Sequence, residues 1–104
     1  MQSLDHGRLG IAAQSLGIAT AAAEASRAYA AERRQFGQPI RDFQAVQFKL
    51  ADMASRIASA RALLHATARA KDAGANITGH GSMCKLLASE TAMFVADEAV
   101  QIFG

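Results

Sequence analysis

The chain has 104 residues, of which 51% are apolar and 6% aromatic, and it contains one proline. This alanine-rich composition favours helices and argues against a β-sandwich or β-barrel, so we predict a single all-α domain. The 11 basic and 9 acidic residues give a net charge of +2 without a dense basic block. That balance argues against nucleic acid as a partner.

Charged residues interrupt every apolar segment, and no run of about 18 apolar residues occurs, so we predict no membrane span. The single cysteine, Cys84, has no partner for an internal disulfide, and we find no secretory signal. We therefore expect a cytoplasmic protein if the source is bacterial, or a mitochondrial matrix protein if it is eukaryotic.

The first predicted helix begins near Ser3 or Asp5, either of which is a suitable N-cap, and continues without a breaker to about Arg34. Its apolar residues form two stripes. The first comprises Leu9, Ala13, Leu16, Ala19, Ala23 and Ala30, and the second comprises Ile11, Ile18, Ala22, Ala25 and Tyr29. A helix that is apolar on two sides packs between neighbours.

The segment that follows, Glu-Arg-Arg-Gln-Phe-Gly-Gln-Pro-Ile at residues 32–40, has two interpretations. As a helix end, Arg33 and Arg34 complement the negative end of the helix dipole, while Gly37 and Pro39 turn the chain. Two arginines followed by Phe36 exceed what a helix end requires. Guanidinium groups beside an aromatic ring suit a planar ligand that carries phosphate, because arginine forms charge-assisted bonds to phosphate oxygens.

Two further helices are predicted from apolar residues that recur every three or four positions. The second helix has the seam Phe43, Val46, Leu50, Met53, Ile57, Ala60, Leu64 and Thr67. The third begins after Thr78 as N-cap and has the seam Leu86, Ser89, Met93, Ala96, Val100 and Phe103. Three long helices with short connections predict an antiparallel up-down bundle. Their apolar surface exceeds what they can bury among themselves, so we expect a further element or another chain to cover it.

Few residues have the spacing of a metal or catalytic site. His80 and Cys84 lie four positions apart, but two ligands do not make a zinc site, so we predict no metal and interpret Cys84 as a small buried thiol. No P-loop, glycine-rich dinucleotide motif, serine elbow or Glu-x-x-His motif occurs.

Three segments together resemble the C-terminal helical domain of the acyl-CoA dehydrogenases. They are LDHGRLGIAAQSLGIA at residues 4–19, YAAERRQFGQPIRDFQAVQFKLADMA at residues 29–54, and DEAVQIFG at residues 97–104. The resemblance implies part of a four-helix bundle in an enzyme that uses FAD to oxidise acyl-CoA thioesters between the α and β carbons. It also implies electron-transferring flavoprotein as the electron acceptor and a homodimer or homotetramer.

The resemblance assigns residues to two groups. The segment that matches the acyl-CoA site comprises Asp5, His6, Gly7 and Arg8. Arg33 matches an arginine that reaches the FAD pyrophosphate of a neighbouring subunit. The other positions that match FAD contacts are Gln35, Phe36, Gln44, Gln101, Ile102, Phe103 and Gly104. Arg34 is assigned to the helix end and solvent.

The resemblance places the catalytic base outside this chain. In the isovaleryl and long-chain branches the base occupies the position of Gly7, and glycine cannot accept a proton. We therefore predict a parent enzyme of the short- or medium-chain type, with its base downstream of Gly104, and a chain that is inactive alone. The alternative is a non-enzymatic helical module that dimerises through its exposed seams.

Overall fold

The computed structural model describes residues 2–104, and their side chains from Leu4 onward. Three long helices make up most of it: α1 (Gln2–Glu32), α2 (Gln44–Asp72) and α3 (Thr78–Phe103). They run up, down and up in a rod of 56 × 17 × 15 Å. The predicted all-α up-down bundle is confirmed. None of these helices is long and apolar enough to cross a lipid bilayer.

The start of α1 differs from the prediction. Gln2 is already helical, so Ser3 and Asp5 lie inside the helix and the prediction that one of them is the N-cap was wrong. Asp5 is instead buried against α3, where its Oδ2 accepts a hydrogen bond from the Thr78 hydroxyl at 3.3 Å. This contact ties together the first turns of two parallel helices.

A small β-hairpin joins α1 to α2. Strand β1 (Arg34–Gln35) pairs antiparallel with strand β2 (Gln38–Pro39), and a 3₁₀ turn at Ile40–Asp42 leads into α2. The turn residues Phe36 and Gly37 have φ values of 54° and 82°. Gly37 turns the chain as predicted, but the predicted place of the two arginines in the last helical turn was wrong, because α1 stops at Glu32 and that turn contains no basic residue. Two-residue hairpins of this kind usually have Asn-Gly or Asp-Gly, so Phe-Gly gave no sequence signal.

The connection between α2 and α3 is a short turn in which Gly74 has a φ of 89°. The third helix begins at Thr78 itself, so the prediction that Thr78 is its N-cap was wrong by one position. The side chain of Asn76 accepts the Thr78 backbone N–H at 3.1 Å. Asn76 thus satisfies one of the free donors at this helix start.

The core confirms the predicted seam of α2 and corrects that of α3. On α2 the buried residues are Met53, Ile57, Ala60, Leu64 and Thr67. The buried residues of α3 are Gly81, Cys84, Ala88, Thr91, Val95, Ala99 and Ile102, whereas the predicted seam faces outward. Most residues of this buried face are small, as are Ala12, Ala19, Ser26 and Ala30 of α1. Small side chains allow two helices to approach closely, and larger ones would hold them apart.

Large apolar side chains form an exposed surface that we call the outer face. Its members are Leu4, Ile11 and Ile18 of α1 and Met83, Leu86, Met93 and Val100 of α3, each between 47% and 73% exposed. At 3.6 residues per turn, the members of each row fall on one side of their helix, outside its buried face. The prediction that apolar surface would remain uncovered is confirmed.

Candidate functional site

A cleft of about 520 Å³ lies where the end of α1, the hairpin, the start of α2 and the end of α3 meet. We call it the hairpin cleft. Its lining comprises Tyr29, Arg33, Gln35, Phe36, Ile40, Phe43, Ala45, Val46, Lys49, Gln101, Ile102, Phe103 and Gly104. The fold thus brings two distant segments of the sequence to one concave surface.

Seven of the eight positions predicted to contact FAD line this cleft. Those on the hairpin side are Arg33, Gln35 and Phe36, and those at the end of α3 are Gln101, Ile102, Phe103 and Gly104. The eighth, Gln44, is the exposed first residue of α2 and is not part of the lining. The helix ends therefore position the lining residues, and the hairpin closes one side.

The last turn of α3 is held against the end of α1 by one aromatic pair. The rings of Tyr29 and Phe103 have centroids 4.5 Å apart, and the Tyr29 hydroxyl donates to the Phe103 carbonyl at 3.5 Å. Tilted aromatic pairs of this kind stabilise by about 0.5–1.5 kcal/mol beyond their buried area. The pair fixes one wall of the hairpin cleft.

Phe36 combines backbone strain with exposure. Its φ of 54° is unfavourable for a bulky residue and costs about 1–2 kcal/mol, and its side chain is 91% exposed. The ring lies edge-on to Phe43 with centroids 6.3 Å apart. Strained residues cluster at functional sites, so Phe36 is a candidate ligand contact.

Arg34 closes the hairpin turn, since its Nη2 donates to the Gly37 carbonyl at 2.7 Å. Arg34 faces solvent as predicted, but its predicted role at the helix end was wrong, because α1 has already stopped at Glu32. The two neighbouring arginines thus differ in location, since Arg33 lines the cleft and Arg34 does not.

The polar side chains that line the cleft are two cations, two amides and one hydroxyl, from Arg33, Lys49, Gln35, Gln101 and Tyr29. No aspartate or glutamate lines it among residues 4–104, and Arg33 has no carboxylate within 4.0 Å in that part of the chain. A concave surface with cationic and amide donors and an exposed aromatic ring favours an anionic ligand with a planar group.

The residues predicted to bind acyl-CoA lie at the other end of the rod. Asp5 is 6% exposed and Arg8 is half-buried, whereas His6 and Gly7 face solvent. The Asp5 Oδ1 atom is 3.7 Å from Arg8 Nη1 and has no hydrogen-bond donor among the described side chains. At about 1.5 Å per residue, roughly 40 Å of helix separates Asp5 from Arg33. One chain therefore does not combine the two groups in a single site.

The family model of the acyl-CoA dehydrogenase C-terminal domain matches residues 1–104. The chain belongs to the acyl-CoA dehydrogenase family. Butyryl-CoA dehydrogenase from Megasphaera elsdenii has a structure that superposes on the whole chain with a TM-score of 0.97 at 48% identity. The resemblance inferred from the three sequence segments is confirmed.

Two other relatives of this acyl-CoA dehydrogenase domain match it over its whole length. A chain in the structure described as the electron transferring flavoprotein of Acidaminococcus fermentans matches all of it at 49% identity, with a TM-score of 0.97. Acryloyl-CoA reductase (NADH) of Anaerotignum propionicum is 48% identical over 104 residues. The match covers 27% of the first chain, 26% of the reductase and 27% of the butyryl-CoA dehydrogenase, so the chain spans about a quarter of their length.

Sequence reasoning missed six of the thirteen residues that line the cleft of this acyl-CoA dehydrogenase domain, and three of them are aromatic or charged. These three are Tyr29 and Phe43, which had been placed in packing stripes, and Lys49, which had been given no role. The aromatic residues flank the hairpin segment, so their position next to a predicted ligand site was a usable signal. Lys49 gave none, because its partners Glu98 and Gln101 lie on a different helix.

Cys84 and His80 do not form a site. The Cys84 thiol is buried, as predicted, and donates to the Thr67 hydroxyl at 3.3 Å. His80 is exposed. Across the part of the chain that the structure describes, no three His, Cys, Asp or Glu side chains are arranged to hold a metal.

Proposed function

We propose that this chain is the C-terminal part of a FAD-dependent acyl-CoA dehydrogenase that oxidises acyl-CoA thioesters between the α and β carbons. The observation that carries the proposal is the hairpin cleft. It collects Arg33, Phe36 and the end of α3 around one concave surface. Its volume lies within the range of about 300–1,000 Å³ that is typical of ligand sites.

The chemistry of the lining fits FAD. The diphosphate of FAD carries negative charge and only accepts hydrogen bonds, and the cleft offers the unpaired Arg33 guanidinium and amide side chains. The exposed Phe36 ring offers a face for a planar ring system. When bound in the parent enzyme, FAD supplies the acceptor for the hydride that leaves the β carbon.

The start of α1 is proposed to contact acyl-CoA. Asp5 is almost fully buried and lies between Arg8 and Thr78, so it orients the half-exposed Arg8 guanidinium. This group suits an anionic or carbonyl oxygen of the substrate. Because it lies about 40 Å from the hairpin cleft along α1, each active site needs more than one chain or further parts of the parent enzyme.

We propose that the outer face is covered by another copy of the chain in a homodimer or homotetramer. Its seven large apolar side chains are unusually exposed for a soluble domain of this size. Electron-transferring flavoprotein is the proposed electron acceptor, a role supported by the Acidaminococcus relative. The reductase relative is named for the reverse change, reduction of a carbon–carbon double bond.

Mixed with butyryl-CoA, FAD and an artificial electron acceptor, the purified chain is expected to show no turnover. Gly7 cannot remove the α proton, and no aspartate or glutamate among residues 4–104 lines the cleft. Reduction of the acceptor dye is followed by absorbance, with an intact butyryl-CoA dehydrogenase as the positive control. Sustained dye reduction that depends on butyryl-CoA would contradict the assignment of the base to another part of the parent enzyme.

A non-enzymatic helical module is the second candidate, and the outer face is the observation that favours it. Such a module would self-associate without binding FAD. Continuation of the reading frame into a glycine-rich loop and a glutamate-containing segment supports the enzyme, whereas a stop codon directly after Gly104 supports the module.

A further inference from the structure

We infer that Lys49 is a positioning residue that turns the side-chain amide of Gln101 so that its NH₂ group faces the hairpin cleft as a hydrogen-bond donor. The inference rests on the proposed FAD function of that cleft. Both residues line the cleft, Lys49 from α2 and Gln101 from α3.

Lys49 is itself fixed by two contacts with α3. Its Nζ donates to Gln101 Oε1 at 2.7 Å and to Glu98 Oε2 at 3.1 Å. The Lys49 and Glu98 side chains are 31% and 17% exposed, so their ion pair is partly shielded from water. Glu98 therefore restricts the ammonium group to a position from which it reaches Gln101.

The polarity of these bonds determines the orientation of the Gln101 amide. An ammonium group only donates hydrogen bonds, so the Gln101 atom that faces it is the oxygen. The amide nitrogen then points elsewhere, and it has no hydrogen-bond acceptor among the described residues. An exposed glutamine is free to present either atom, and the contact with Lys49 makes this one a donor.

This orientation adds a donor to the cleft from the α3 side. Arg33 supplies donors from the hairpin side, and Gln101 supplies them from α3. A ligand group that fits between them carries acceptors, such as the phosphate oxygens or the ring nitrogens and carbonyls of FAD. Lys49 thus contributes to ligand recognition through Gln101, in addition to linking α2 with α3.

A double-mutant cycle on the full chain tests this role. Lys49→Met keeps the apolar stem and removes the donor, and Gln101→Ala removes the amide. Lys49→Met is expected to weaken FAD binding, followed by flavin fluorescence, about 5- to 10-fold in the wild-type background and less than about 2-fold in the Gln101→Ala background. The melting temperature should fall in both backgrounds, because the contact with Glu98 is lost in each of them.

Lys85→Met is the matched control, since it removes the same charge from an exposed lysine that does not line the cleft. The inference is overturned if Lys49→Met weakens FAD binding equally in both backgrounds, or no more than Lys85→Met does. Those outcomes leave the proposed FAD site intact, whereas a wild-type chain that binds no FAD contradicts the site itself.

The orientation of Gln101 is also testable without a ligand. In ¹⁵N NMR spectra of the free chain, the side-chain NH₂ signals of Gln101 are expected to shift in Lys49→Met and to stay unchanged in Lys85→Met. Signals that are the same in all three proteins would overturn the positioning role, whatever the chain binds.

Discussion

Replacement of Arg33 by alanine is expected to weaken FAD binding by about 10- to 100-fold. A hydrogen bond to a charged group contributes about 1.5–3 kcal/mol, and each 1.4 kcal/mol corresponds to about a tenfold change in affinity. Arg33 has no carboxylate partner among residues 4–104, so its removal leaves no buried charge unpaired there. Isothermal titration calorimetry of the full chain with FAD, at fixed ionic strength, measures the change.

Arg41→Ala is the matched control for Arg33→Ala. Arg41 is an exposed arginine close in sequence, its Nε lies 4.0 Å from the Asp42 carboxylate, and it does not line the cleft. The Arg41→Ala variant should bind FAD about as well as the wild type does. If both variants lose affinity equally, the effect reflects net charge alone, and the role assigned to Arg33 is wrong.

A double variant with glutamate at positions 18 and 93 is expected to be monomeric, whereas the wild-type chain is expected to be an oligomer. Ile18 and Met93 are 61% and 70% exposed in the single chain, so Ile18→Glu with Met93→Glu should leave the helical bundle intact. Within an interface the same charges would lose their hydration without a partner, which costs several kcal/mol. Sedimentation velocity at several concentrations measures the change, and circular dichroism confirms unchanged helix content.

Ala58→Glu is the control for this pair, because Ala58 is an exposed residue of α2 outside the outer face. It should sediment like the wild type, as a dimer or larger species. A wild-type chain that is monomeric at every concentration would disprove the proposed role of the outer face. The same holds if the double variant associates as strongly as the wild type.

The helices were predictable from sequence, but their faces were predictable only in part. On α2 the three-four seam is also the buried face, because large residues such as Met53 and Ile57 fill the space between helices. On α3 the same rule selected Leu86, Met93 and Val100, which face outward. The close α1–α3 contact requires small residues. A search for recurring large apolar residues overlooks them, because alanine, glycine and threonine are only weakly hydrophobic.

Most of the candidate site was predicted through the family resemblance, and the rest depends on tertiary contacts. The Arg33 segment and the end of α3 were identified separately, and the structure shows that they share one cleft. The contact between Lys49 and Gln101 joins residues of two different helices, so no local pattern in the sequence predicts it. The hairpin was missed because Phe36 adopts a positive φ that its residue type disfavours.

The central claim is that the hairpin cleft binds FAD. Titration of the ¹⁵N-labelled full chain with FAD, followed by two-dimensional NMR, tests it directly. We predict saturable shifts of the backbone amides of Arg33, Phe36, Gln101 and Phe103, with the amides of residues 5–8 unchanged. Absence of saturable shifts, or shifts confined to residues 5–8, would contradict the claim.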